Sequence, residues 1–159
     1  MPYLKKKFLE YHSYADATIN DIFSKDQFKD AGLLKADMME TVYLENCGKD
    51  GFVLKKLPPE AQFAPVYAIA AADVNHDGKL DMILAGNNSW TRIKFGRYRA
   101  NHGIVILGDG KGNFVYVPQP KSGLNLREDV RSVQLINSRK GAQIIFGVND
   151  GAINWYKLN

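Results

Sequence analysis

The sequence predicts a mainly β chain with an N-terminal helical segment, and three observations carry that reading. Apolar residues fall at helical spacing before residue 39 and as short runs between turn residues after it. The later part repeats itself after 62 positions, counted from Phe52 to Phe114, and an acidic nonapeptide joins two of its apolar runs.

In the helical segment, residues 1–38, Tyr3, Leu4, Phe8, Leu9 and Tyr11, then Ile19, Ile22 and Phe23, recur at helical spacing. Ser24-Lys25-Asp26-Gln27 is a capping box ahead of Phe28, Ala31, Leu33 and Leu34. Three short helices are expected, the third weakened by Gly32, with the aromatic and aliphatic residues as their buried face.

Residues 39–159 read as strands at roughly 40–46, 52–57, 66–72 and 80–86, then 103–108, 113–117, 130–136 and 142–148, with a ninth at 152–158. The stretch from Val42 to Phe52, an apolar strand, a glycine-bearing turn and an aromatic, returns from Val105 to Phe114. Four antiparallel strands repeated at such an interval are the pattern of β-propeller blades. About two blades are therefore expected, 39–88 and 103–158, joined by a loop over 89–102. Repeats of this kind bury their faces against neighbours, and about three are normally needed for stability. Two blades leave two open faces, so the chain is expected to be a partial propeller or a fragment of a longer one, to self-associate, or to have one side capped by its N-terminal helices.

The nonapeptide Asp73-Val74-Asn75-His76-Asp77-Gly78-Lys79-Leu80-Asp81 reads as a calcium loop. Hard cations take six to eight oxygen ligands at about 2.3–2.6 Å, and Asp73, Asn75, Asp77 and Asp81 with the Lys79 carbonyl supply most of such a shell. An EF-hand would lie between helices and close on Glu at position twelve, which here is Leu84. The competing reading is an Asn/Asp/Gly turn that binds nothing. In the second copy the matching loop carries Arg139 and Lys140 instead of carboxylates, and no cation is expected there.

The 86–103 segment is the longest between strands, and loops on rigid sheets often carry binding function. Trp90, Arg92, Arg97 and Tyr98 are its candidate ligand-binding residues, suited to stacking on a sugar or clasping a carboxylate. The alternative is that they pack over the blade edge and tie the loop to carbonyls. No catalytic residue is assigned, because carboxylates that ligate a metal are held ionised and withdrawn from general acid work. A glycan-active hydrolase or lyase with its site in 86–103 is the second hypothesis. His12, His76 and His102 lack the spacing of a zinc pair and read as surface residues.

At 159 residues, 45% hydrophobic and 24% charged, the composition is that of a globular protein. The net charge of +4, with 21 Lys and Arg against 17 Asp and Glu, is mild and scattered, so nucleic acid is not an expected partner. No apolar run approaches the roughly 20 residues of a membrane span. The amino terminus does not read as a secretory signal, and single Cys47 excludes an internal disulfide.

Asp73-x-Asn75-x-Asp77-Gly78-x-Leu80-Asp81 followed by Leu84-Ala85-Gly86-Asn87, together with Leu107-Gly108-Asp109-Gly110-Lys111-Gly112-Asn113-Phe114, resembles the FG-GAP/VCBS repeats, calcium-binding propeller repeats also seen in integrin alpha heads. A finer resemblance, to the carboxy-terminal segment of ASPIC/UnbV-type, cartilage acidic protein-like secreted proteins of Bacteroidetes, rests on three further pieces. These are Tyr14-Ala15-x-Ala17-Thr18-Ile19-x-Asp21-Ile22-Phe23, Pro58-Pro59-Glu60-Ala61-Gln62-Phe63-Ala64-Pro65-Val66 and Gly96-Arg97-Tyr98-x-Ala100. The resemblance implies a multi-blade propeller at the periplasm, outer membrane or cell exterior. It implies calcium as a structural ion and a scaffold that recognises a glycan or protein ligand without catalysis.

Overall fold

Ser24 starts a helix by the reciprocal bonding its sequence calls for, its N–H donating to Gln27 Oε1 at 2.8 Å, and Thr18 does the same with Asp21, its N–H donating to Oδ2 at 2.8 Å. The computed structural model describes residues 2–139 and 141–158, which form two compact units, the first ending at Met39 and the second beginning at Glu40. The first unit holds α1 (Pro2–Lys7), α2 (Tyr11–Ala15), α3 (Ile19–Ile22) and α4 (Lys25–Phe28), one more than expected and each of six residues or fewer. None buries a residue, so the expected buried face is corrected. A helix of one or two turns offers too narrow a stripe to build a core. Residues 29–41, with Asp30 and Gly32, continue without helix or strand.

Among the described residues the second unit holds nine strands, within about two residues of the expected positions: β1 (Val42–Asn46), β2 (Phe52–Lys56), β3 (Val66–Ala72), β4 (Asp81–Gly86), β5 (Ile104–Gly108), β6 (Phe114–Val117), β7 (Val130–Ser138), β8 (Gly141–Val148) and β9 (Asn154–Lys157). All pairings are antiparallel, and the sheets are β1-β2, β3-β4-β5-β6 and β7-β8-β9. The chain is thus mainly β with a short helical N-terminal stretch, consistent with part of a propeller.

The grouping of strands differs from expectation. The blade boundary was expected in the 89–102 loop, but β4 pairs with β5 across it, Met82 with Ile106, Ile83 with Val105 and Leu84 with Ile104. A repeat interval fixes the spacing of strands and leaves open which four share a sheet. Hydrogen bonding settles that question, and the complete four-stranded sheet spans 66–117 rather than 40–86.

This sheet is covered on both faces. Leu84, Ile104 and Ile106 pack with Leu57 and Ala61 and against Tyr43 of β1, while Ile83, Ala85 and Val105 pack with Leu126, Val130, Ile144 and Phe146 toward the third sheet. Two-sided burial explains why β4 and β5 are unbroken apolar runs instead of alternating ones. It also explains Gly86, where a Cβ would stand 1.8 Å from the Pro65 carbonyl oxygen.

β3 and β7 lie side by side, and each carries a bulge at its second residue: Tyr67 between Val66 and Ala68, Arg131 between Val130 and Ser132. The two extra residues meet, with the Arg131 guanidinium 4.2 Å from the Tyr67 ring centroid.

Candidate functional site

The acidic nonapeptide lies between strands, as expected: β3 ends at Ala72 and β4 begins at Asp81. Its side chains cap its own backbone. The Asp77 N–H donates to both Asp73 Oδ1 at 3.0 Å and Asn75 Oδ1 at 3.1 Å, which draws those two oxygens together. Gly78 donates to Asp73 Oδ2 at 2.9 Å and Lys79 to Asp77 Oδ1 at 2.9 Å. The Lys79 amide bond and the Asn75 side chain hold the Asp77 carboxyl below its usual range, so it is ionised at neutral pH. His76 and Gly78 take the left-handed conformation that lets the chain reverse.

Asp81 is engaged differently from these groups. It is fully buried, accepting the Val74 N–H at Oδ2 and the Gly108 N–H at Oδ1, at 2.9 and 2.8 Å. It thereby ties the loop to the end of β5. Among the described residues no three His, Cys, Asp or Glu side chains are gathered as a metal-holding group. The oxygen chemistry of Asp73, Asn75 and Asp77 fits a hard cation. Asp81 would have to share a carboxylate oxygen between an amide and the ion, which the two lone pairs on each oxygen allow.

The 87–103 connection is a folded excursion rather than a slack loop. Asn88 and Tyr98 exchange backbone hydrogen bonds at 2.8 and 2.9 Å, closing a neck beyond β4. Asn87, buried at positive φ, fastens the base, its Nδ2 donating to the Asn101 and Glu128 carbonyls and its Oδ1 accepting the Asn101 N–H. Buried Asp129 accepts the Ser89 N–H and Oγ–H, both at 2.8 Å. Between this excursion and the β8–β9 turn opens a cleft of about 600 Å³.

Residues 65–117 match the family model described as FG-GAP repeat. The matched span coincides with the four-stranded sheet, β3 to β6. These residues are similar to an FG-GAP repeat. The match covers a third of the chain, and it speaks for a β-propeller scaffold, with such repeats typical of extracellular or surface proteins. No curated protein and no solved structure matches the chain.

The repeat thus contains both the acidic loop and the excursion. Of the four candidate ligand residues, Trp90 and Arg97 line the cleft. Tyr98 instead serves the neck of the excursion, and the Arg92 carbonyl starts the turn at Ile93–Phe95 by accepting the Phe95 N–H. The alternative, in which Arg97 ties the loop to carbonyls, is not seen among the described residues: its guanidinium makes no hydrogen bond or ion pair, and Trp90 is 73% exposed. Sequence reasoning missed the opposite wall, Glu128, Asp129 and Asp150, which lies outside the repeat. His102 also departs from expectation, being half-buried with its Nδ1 enclosed.

Proposed function

We propose that the chain is a calcium-stabilised, non-catalytic segment of a β-propeller in an exported protein, serving as a scaffold that recognises a glycan or protein ligand. The observation that carries this reading is the coincidence of the FG-GAP repeat with a complete four-stranded sheet whose first hairpin holds the acidic loop. The ligands are the side chains of Asp73, Asn75 and Asp77 and the carbonyl of Lys79, with Asp81 joining through a shared oxygen. Bound calcium supplies the positive charge that offsets repulsion between these carboxylates. Asp81 anchors the loop to β5, so order in the loop passes to the sheet.

An exported location is supported by the repeat type, and the finer likeness to ASPIC/UnbV-type proteins by the three motifs quoted above alone. Further blades of a longer chain, or a second copy, would cover the outer sheets. Thermal unfolding in calcium and in chelator tests the ion. At calcium a hundredfold above its dissociation constant the native state gains about 3 kcal/mol. Unchanged transitions would overturn the calcium assignment.

A further inference from the structure

The cleft beside Trp90 sets its charges in an unusual way. Arg97 and Arg99 come from the excursion, while Glu128 and Asp150 come from the connections flanking β7 and β8. Among the described residues none of the four forms an ion pair with another. Arg99 is held in place by its Nε donating to Ser89 Oγ at 2.8 Å, and Ser89 in turn is fixed by buried Asp129. The Arg97 fork has no partner among the described residues, and the Trp90 ring projects without a ring contact to any of them. A volume of about 600 Å³ lies within the roughly 300–1,000 Å³ of small-ligand sites.

A ligand for this cleft needs three things: a flat carboxylate for the guanidinium fork, hydroxyl donors for the opposed carboxylates, and an apolar face for the indole. A uronic acid combines them in one ring. The planar carboxylate meets Arg97 bidentately. Ring hydroxyls donate to Glu128 and Asp150, and the C–H face lies on Trp90. A neutral sugar leaves the arginines unanswered, and an acidic peptide brings several negative charges against Glu128 and Asp150. We infer that this cleft binds a uronic-acid-containing oligosaccharide, with Arg97 and Trp90 as its specificity-determining contacts. The inference rests on the recognition-scaffold reading and names its ligand class.

Titration calorimetry of the full chain with trigalacturonic acid, maltotriose and hexa-aspartate tests it. Trigalacturonic acid is expected to bind at least about tenfold more tightly than either of the others, and more weakly as salt rises. Arg97→Ala is expected to lose about tenfold to a hundredfold in affinity and Arg97→Lys to recover only part, because an ammonium cannot form the fork. Trp90→Ala is expected to lose roughly tenfold. Melting temperatures should not move in the Arg97 variants, since that side chain holds nothing in place among the described residues. Maltotriose binding as tightly as trigalacturonic acid, or affinity indifferent to Arg97→Ala, overturns the uronate assignment and keeps the scaffold reading. Hexa-aspartate captured in a Trp90-dependent way while both sugars are ignored does the same. Failure of all three probes to bind overturns the uronate assignment alone, because the scaffold reading stands or falls on unfolding in calcium and in chelator.

Discussion

The β3–β4 and β7–β8 hairpins start alike and end differently. Each has a bulge at its second residue, and from there the β3–β4 ladder runs from Ala68↔Ala85 to Ala72↔Asp81, whereas the β7–β8 ladder continues two pairs further, to Ser138↔Gly141. The first closes through the eight residues 73–80, of which the Val74, Asp77, Gly78 and Lys79 amides donate to the side chains of Asp73, Asn75, Asp77 and Asp81. The second ladder runs to the pair Ser138↔Gly141 with Arg139 in a turn, and Lys140 lies outside the described residues. Backbone donors must be paired one way or another. A long ladder pairs them with no side chains, and a short ladder with an acidic loop pairs them at the cost of crowding negative charge. That crowding is what a cation would relieve, so the hairpin with the weaker ladder is the one expected to depend on an ion.

The sharpest way to break this contrast is to remove Asp81. Asp81→Ala leaves the Val74 and Gly108 amides without their acceptor and should cost about 4 kcal/mol in urea unfolding. Gln143, which occupies the matching ladder position opposite Ile136, makes no side-chain hydrogen bond among the described residues, and Gln143→Ala should cost about 0.5 kcal/mol. Equal losses would mean that Asp81 is an ordinary strand residue.

Next in size is the ion. Asp73→Ala should abolish the calcium-dependent gain of about 3 kcal/mol, while Arg139→Ala on the other hairpin should retain it. A calcium response that survives Asp73→Ala would place the ion elsewhere.

A double-mutant cycle on Tyr67→Leu and Arg131→Ala should return a coupling of about 1 kcal/mol between the two bulges. Zero coupling would reduce their contact to proximity.

The smallest effect concerns the β5–β6 turn. Asp109 accepts the Asn113 side chain and the Lys111 and Asn113 amides, which lower its carboxyl from 3.8 to about 2. A depressed folded value means that the stabilisation is complete above the unfolded value and fades as pH falls from about 4 through about 2. The melting difference between the wild type and Asp109→Asn should therefore shrink across that window. A constant difference would show that these bonds do not depend on ionisation.

How much was legible follows from where each signal lies along the chain. Apolar runs between Gly, Asn, Asp and Pro located all nine strands, because two-sided burial writes itself as continuous hydrophobicity in β4 and β5. The partition into sheets was not legible, since it depends on Asn87 and the Asn88–Tyr98 neck folding the 87–103 connection aside so that β4 can reach β5. The acidic loop announced itself through local spacing. The engagement of Asp81 did not, because its second partner, Gly108, lies 27 residues away. Half of the cleft was readable in Trp90 and Arg97, while its other wall comes from residues about thirty to sixty positions further along, where nothing local distinguishes Glu128 or Asp150 from surface charges.

The central sheet, enclosed on both sides, cannot form its dry interior until its flanking sheets arrive. Folding of the second unit should accordingly be cooperative, with no long-lived state in which this sheet stands alone. Backbone amides of Ile83, Leu84 and Ala85 should then exchange with deuterated solvent only through global opening, far more slowly than those of the peripheral β1–β2 ribbon.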